Sequence, residues 1–235
     1  MIDCATAFTL EFIRTGLPAE ARRVLEVGCG DGALAAALAA DGIEVVAIDS
    51  DPAKVAQASR RGIDARVAEW PDFADGRFDA VLFTRSLHHV GDLEASVAAA
   101  VATLADEGRI IVEDFRAEGE PPRSAAWFDS LVRVLDSAGL LIEPTEFLRQ
   151  RLGLAPDHRH DDDHHLHGSA AIEAALAEAS ASLHIEDAAY YFRYLLPALG
   201  RGELGEALLT HERELIATGA IDPLGRRYIA GRSSA

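Results

Sequence analysis

The sequence predicts an α/β fold: a doubly wound, mostly parallel sheet with helices on both faces and a helical insertion after the fifth strand. Three observations carry this. Short apolar runs at 24–27, 45–48, 78–83 and 110–112 alternate with helical stretches, the pattern of repeated βαβ units. The first run stops abruptly at three alternating glycines, Gly28, Gly30 and Gly32. The second ends in an acid, Asp49, seventeen residues past the last of those glycines.

In chain order, residues 5–15 place Phe8, Leu10 and Phe12 on a helix-like stripe, so 1–20 reads as an N-terminal helix. A strand at 23–28 is followed by an alanine-rich helix at 32–40, which Asp41-Gly42 ends. The second strand, 43–48, leads through Asp51-Pro52 into a helix with proline at its first position, running to Arg61-Gly62. Short strands follow at 64–67 and 78–83. Asp92 then caps a helix at 92–104, and strand five occupies 108–113. In the C-terminal half we place a helix at 169–180 with Ser169 as its cap, a sixth strand at 183–192, a helix at 203–218 and a seventh strand at 226–231. Residues 116–167 are left over, far longer than an ordinary connection. Within them Ser124–Ala138 reads as an amphipathic helix that Gly139 stops.

The glycine turn carries the chemistry. A strand, a glycine turn and a helix let backbone approach a ligand without Cβ atoms in the way, and an acid ending the next strand hydrogen-bonds a ribose diol. Gly28, Gly30 and Ala33 also satisfy the dinucleotide fingerprint, which is weak as a bare pattern. Glu26 tilts the choice: an acid aimed into the first loop repels a pyrophosphate but suits an ammonium group.

The run Glu26-Val27-Gly28-Cys29-Gly30-Asp31-Gly32 resembles the first motif of class I S-adenosylmethionine-dependent methyltransferases, an acid followed by three alternating glycines. The resemblance covers about residues 20–115 and implies a Rossmann-like seven-stranded sheet with S-adenosyl-L-methionine as cofactor. It assigns Asp49 to the ribose and Ser50 to the adenine face. Ala68-Glu69-Trp70 is similar to the third motif beside the adenine edge, although Glu69 stands where the family often has Asp. Thr84-Arg85-Ser86 matches the loop beside the transferable methyl. Cofactor contacts are thus expected from Glu26, Gly28, Cys29, Gly30, Gly32, Asp49, Ser50, Glu69, Trp70 and Thr84. Leu87-His88-His89-Val90 resembles the step common in small-molecule methyltransferases of the ubiquinone-biosynthesis type, which makes His88 and His89 the candidate bases. The insertion at 116–167 is expected to roof the acceptor pocket, as the family often uses this place for a lid.

Composition limits the partners. With 235 residues and 49% hydrophobic content the chain supports one substantial core, read as one methyltransferase domain over 1–235. A net charge of −17 disfavours nucleic acid and anionic membranes, so a small organic acceptor is expected. The sequence holds no apolar stretch of membrane-spanning length, Asp3 stands where a signal peptide carries positive charge, and Cys4 and Cys29 sit in unlike settings. A reducing cytoplasmic setting is the expectation. Residues 157–167 crowd five histidines and four aspartates into eleven positions. Three readings stay open for them: a solvated loop, a lining of the acceptor pocket, or, with the least support, a metal site; no metal ligand is assigned. Two rivals to a methyltransferase also remain, a nicotinamide-dependent oxidoreductase built on Gly28, Gly30, Ala33 and Asp49, and a non-catalytic S-adenosylmethionine-binding module. Tyr190, Tyr191, Arg193 and Tyr194 are expected to alternate faces near strand six.

Overall fold

The computed structural model describes residues 2–155, 166–199 and 203–232. Its centre is a seven-stranded sheet of β1 (Arg23–Val27), β2 (Glu44–Asp49), β3 (Asp64–Val67), β4 (Phe78–Thr84), β5 (Leu104–Phe115), β6 (Ser182–Ala188) and β7 (Gly225–Gly231). The spatial order is β3-β2-β1-β4-β5-β7-β6. All pairings from β3 across to β5 are parallel, whereas β7 runs antiparallel to both β5 and β6. The mostly parallel, doubly wound sheet expected from the sequence is therefore present, closed at one edge by an antiparallel hairpin.

Alternation along the strands divides the core into two layers, because successive side chains leave opposite faces of a sheet. Leu25, Val27, Val46, Ile48, Val81 and Phe83 face one way, against α4 (Leu93–Thr103) and α7 (Ser169–Ala179). Val24, Val45, Ala47, Ala80 and Leu82 face the other, against α1 (Cys4–Gly16), α2 (Ala33–Ala40) and Ala58 of α3 (Pro52–Arg60). Caps set several boundaries: Asp3 accepts from Thr6 N, Asp51 from Ala53 N and Asp92 from Ala95 N.

From β5 onward the fold departs from the sequence expectation at three places. Strand β6 ends at Ala188, four residues before the expected 192, and Phe192–Leu195 form a helical turn, α8. The cause is Glu212 of α9 (Glu203–Ala217), whose buried carboxylate accepts from the N–H groups of Tyr190, Tyr191 and Phe192 at 2.6, 3.0 and 2.9 Å. Those donors are withdrawn from any sheet ladder, so the four residues Tyr190, Tyr191, Arg193 and Tyr194 belong to a turn and helix rather than to a strand with alternating faces. Secondly, Gly168 rather than Ser169 caps α7. The Ser169 N–H and hydroxyl both turn to the Glu118 carboxylate, so the cap group comes from outside the helix. Thirdly, β5 starts at Leu104, four residues early, pairing with Phe78 before a register shift.

The insertion holds α5 (Pro122–Ser137) and α6 (Glu146–Arg151). Phe128, Val132, Leu135 and Leu148 pack with Tyr190, Tyr191 and Leu195 into a separate apolar cluster beside the main core.

Candidate functional site

The strand order reverses between β1 and β4, and the loops leaving their carboxyl ends part there, the place where open α/β sheets bind ligands. Two adjoining cavities open at this point. The larger, about 400 Å³, is lined by Gly28, Asp49, Ser50, Glu69, Trp70, Arg85, Ser86 and His89. The smaller, about 140 Å³, lies on the α1 side and is lined by Thr6, Thr9, Glu26, Cys29, Gly30, Thr84 and again Gly28 and Arg85.

The three glycines serve three different needs. At Gly28, with φ +75°, a Cβ would stand 2.6 Å from Ser86 Cβ, and the Ser86 hydroxyl donates to Val27 O at 2.6 Å. The β4 turn is thus fastened directly onto the end of β1. At Gly30 (φ +54°) a Cβ would meet nothing within 4 Å, so this stretch of backbone faces open space in the smaller cavity. Gly32 lines neither cavity; a Cβ there would strike Ala58, so it is the close approach of α2 and α3 that demands it.

Asp49 is held at the cavity edge by the backbone on both sides. One carboxylate oxygen accepts from Gly30 N and the other from Asp51 N, each at 2.9 Å. Glu26 is 1% exposed, and its Oε2 has no hydrogen-bond partner among the described residues. Burial raises its pKa to about 8, against the opposing effects of Arg85 and the Thr84 hydroxyl. The Glu26 Oε2 oxygen leaves a hydrogen-bonding position open in the wall of the smaller cavity. Cys29 is unsuited to nucleophilic work, since burial and the neighbouring acids Glu26 and Asp49 push its thiol up to about 12.

The two histidines part company. His89 lines the larger cavity. His88 is 3% exposed and lies beneath it, with Nδ1 2.6 Å from Asp114 Oδ1 and its ring centroid 4.0 Å from that of His89. His167, the last residue of the histidine-aspartate run, docks on the same turn: its N–H donates to His88 O and its Nε2 to Val90 O at 2.8 Å. Residues 157–165 of that run lie outside the described residues. Among the described residues no group of three or more His, Cys, Asp or Glu is placed to hold a metal ion. No helix among them is long and apolar enough to cross a membrane.

Sequence reasoning missed a polar centre behind the cavities. The buried Glu113 of β5 accepts from Thr9 Oγ1 at 2.5 Å, Arg193 at 2.6 Å and Arg227 at 2.8 Å, with Arg85 more distant at 3.4 Å. Burial works to raise its pKa, but Arg193, Arg227 and Thr9 outweigh it and hold Glu113 below the usual carboxylate range. The one local signal was the acid pair Glu113-Asp114 directly after the apolar run 110–112.

A family model described as a methyltransferase domain matches residues 6–179. The chain belongs to the methyltransferase-domain family. Within it, the chain is 36% identical over 112 residues to a ubiquinone biosynthesis O-methyltransferase from Xylella fastidiosa, covering 44% of this chain and 46% of that protein. It therefore spans about half the length of the curated relatives it matches. Among solved structures, an S-adenosylmethionine-dependent methyltransferase from Archaeoglobus fulgidus aligns over 97% of this chain and 93% of its own, with a TM-score of 0.58 and 14% identity. A phosphoethanolamine N-methyltransferase from Haemonchus contortus aligns over 97% and 53%, with a TM-score of 0.60 and 14% identity. At such identities the likeness is one of fold, and it is the class I methyltransferase fold expected from the glycine motif.

Proposed function

We propose that this methyltransferase-family protein is an S-adenosylmethionine-dependent methyltransferase acting on a small organic acceptor. The observation that carries the reading is the unsatisfied, buried Glu26 carboxyl facing the open Gly30 turn, one turn away from an Asp49 carboxylate oriented by backbone N–H groups. In this reading Glu26 receives the ammonium group of the cofactor and Gly28, Cys29, Gly30 and Thr84 surround its methionine end. Asp49 takes the ribose diol, while Ser50, Glu69 and Trp70 border the adenine. A pyrophosphate offers Glu26 no ammonium partner, so a nicotinamide dinucleotide leaves this buried carboxyl unpaired.

When bound, the cofactor supplies an activated methyl group for in-line displacement; the protein contributes placement and exclusion of water. His89, on the cavity wall, is the residue placed to take a proton from an acceptor hydroxyl or amine. His88 and Asp114 support the His89 ring from beneath. The insertion acts from behind the acceptor side: Phe147 packs 4.4 Å from Tyr194, and Phe128 packs 4.9 Å from the buried Tyr191 next to it, so α5 and α6 brace this wall.

Calorimetric titration with S-adenosylhomocysteine, with NADH in parallel, tests the reading. Micromolar binding of the former alone is expected. Asp49→Ala should weaken that binding by about 2–3 kcal/mol, the value of a charge-assisted hydrogen bond removed from a partly buried site. Binding of NADH alone overturns the proposal in favour of an oxidoreductase. Binding without turnover across phenol, amine and carboxylate acceptors would leave a sensing module.

A further inference from the structure

A third cavity, about 370 Å³, opens beside the other two and shares Arg85 with both. Its walls include Tyr190, Tyr194 and Pro197, with Arg193 and Arg85 supplying the positive charge and Asp3 the one acid. Asp3 is already engaged, its two oxygens accepting from Thr6 N and Thr6 Oγ1. Three guanidinium groups converge behind this wall, those of Arg85, Arg193 and Arg227, against two carboxylates, Glu113 and Glu186. Arg193 and Arg227 each lie within 2.6 Å of Glu113, whereas Arg85 reaches it only at 3.4 Å and its side chain is 39% exposed, so Arg85 is the least engaged of the three.

The backbone holds Arg85 in an unusual pose. Its φ is +61°, a left-handed conformation rare for a long side chain, held by its N–H donating to Glu113 O at 2.7 Å. In a chain of net charge −17, a partly exposed guanidinium lining all three cavities stands out.

On the methyltransferase reading above, we propose that Arg85 anchors the carboxylate of the acceptor, which is a small aromatic acid seated in this third cavity against the wall that Tyr190 and Tyr194 share. Guanidinium groups match carboxylates in a planar, paired geometry, and the tyrosines offer ring faces of the matching size.

The test uses protein saturated with S-adenosylhomocysteine, titrated with benzoate and with its neutral counterpart benzamide. Benzoate is expected to bind about tenfold more tightly, as one charge-assisted pair implies. In Arg85→Asn, which tolerates the left-handed backbone, that preference disappears, while the protein still saturates with S-adenosylhomocysteine and its melting temperature stays near wild type. Arg85→Lys keeps the charge and retains part of the preference. If Arg85→Asn instead loses S-adenosylhomocysteine affinity, Arg85 holds the cofactor's own carboxylate and the proposal is overturned. Equal binding of benzoate and benzamide, or binding of neither, overturns it as well. Failure of the wild type to bind S-adenosylhomocysteine is a failure of the methyltransferase reading, and the benzoate comparison on the free protein then decides Arg85 separately.

Discussion

Glu26 concentrates the chemistry of single residues in this protein. Its folded pKa, about 8, lies above the ordinary 4.5, so the folded chain holds a proton there that the unfolded chain releases. Its contribution to stability is therefore greatest below the ordinary value and falls as pH rises through that window. Docking an ammonium group beside it reverses the preference and expels the proton. Titration with S-adenosylhomocysteine at pH 7, in two buffers of different ionisation enthalpy, should report release of nearly one proton, and affinity should climb with pH up to about 8. Glu26→Gln should abolish the release and weaken binding at least about tenfold, the worth of a hydrogen bond to a charged group. A pH-independent affinity would show that the ammonium lies elsewhere. Residues such as Glu26 and Asp49 were legible because both stand at strand ends beside a glycine turn, where local sequence dictates geometry. Arg85 was legible only as part of a loop.

At the scale of elements, Glu212 decides how the wall around Tyr190 and Tyr194 is built. One carboxylate satisfies three consecutive N–H groups, ends β6 and starts α8, and so sets where Tyr190, Arg193 and Tyr194 point. Glu212→Ala leaves three donors buried and should cost about 3 kcal/mol or more, from one to three for each unsatisfied buried group. Chemical denaturation measures this, and a loss below about 1 kcal/mol would mean that water replaces the carboxylate. Glu212→Gln, which keeps one acceptor oxygen, should fall between. Nothing near residue 190 in the chain announces this turn, because its cause lies about twenty positions away on α9. The alternating-face expectation for 190–194 failed for that reason, while α2, α3 and α4, with Pro52 opening α3 and Asp92 capping α4, all local, matched closely.

For the whole molecule, a net charge of −17 makes self-repulsion part of the stability balance. Raising sodium chloride from about 10 mM to about 0.5 M, which shortens the screening length several-fold, should raise the melting temperature by a few degrees. A fall would show that ion pairs such as Arg23 with Glu44 and Asp75 outweigh the repulsion. The sequence by itself determined the doubly wound sheet, the succession of its first five strands along the chain and the glycine-turn half of the candidate site, since strand, glycine turn and acid are neighbours along the chain. Only the tertiary structure decided the half built around Tyr190 and Arg193. Glu113 meets Arg193 and Arg227 across 80 and 114 residues, and His88 meets Asp114 across 26. Such meetings depend on the order in which strands pair, and the physical cost of burying those charges is met only after the chain has folded around them.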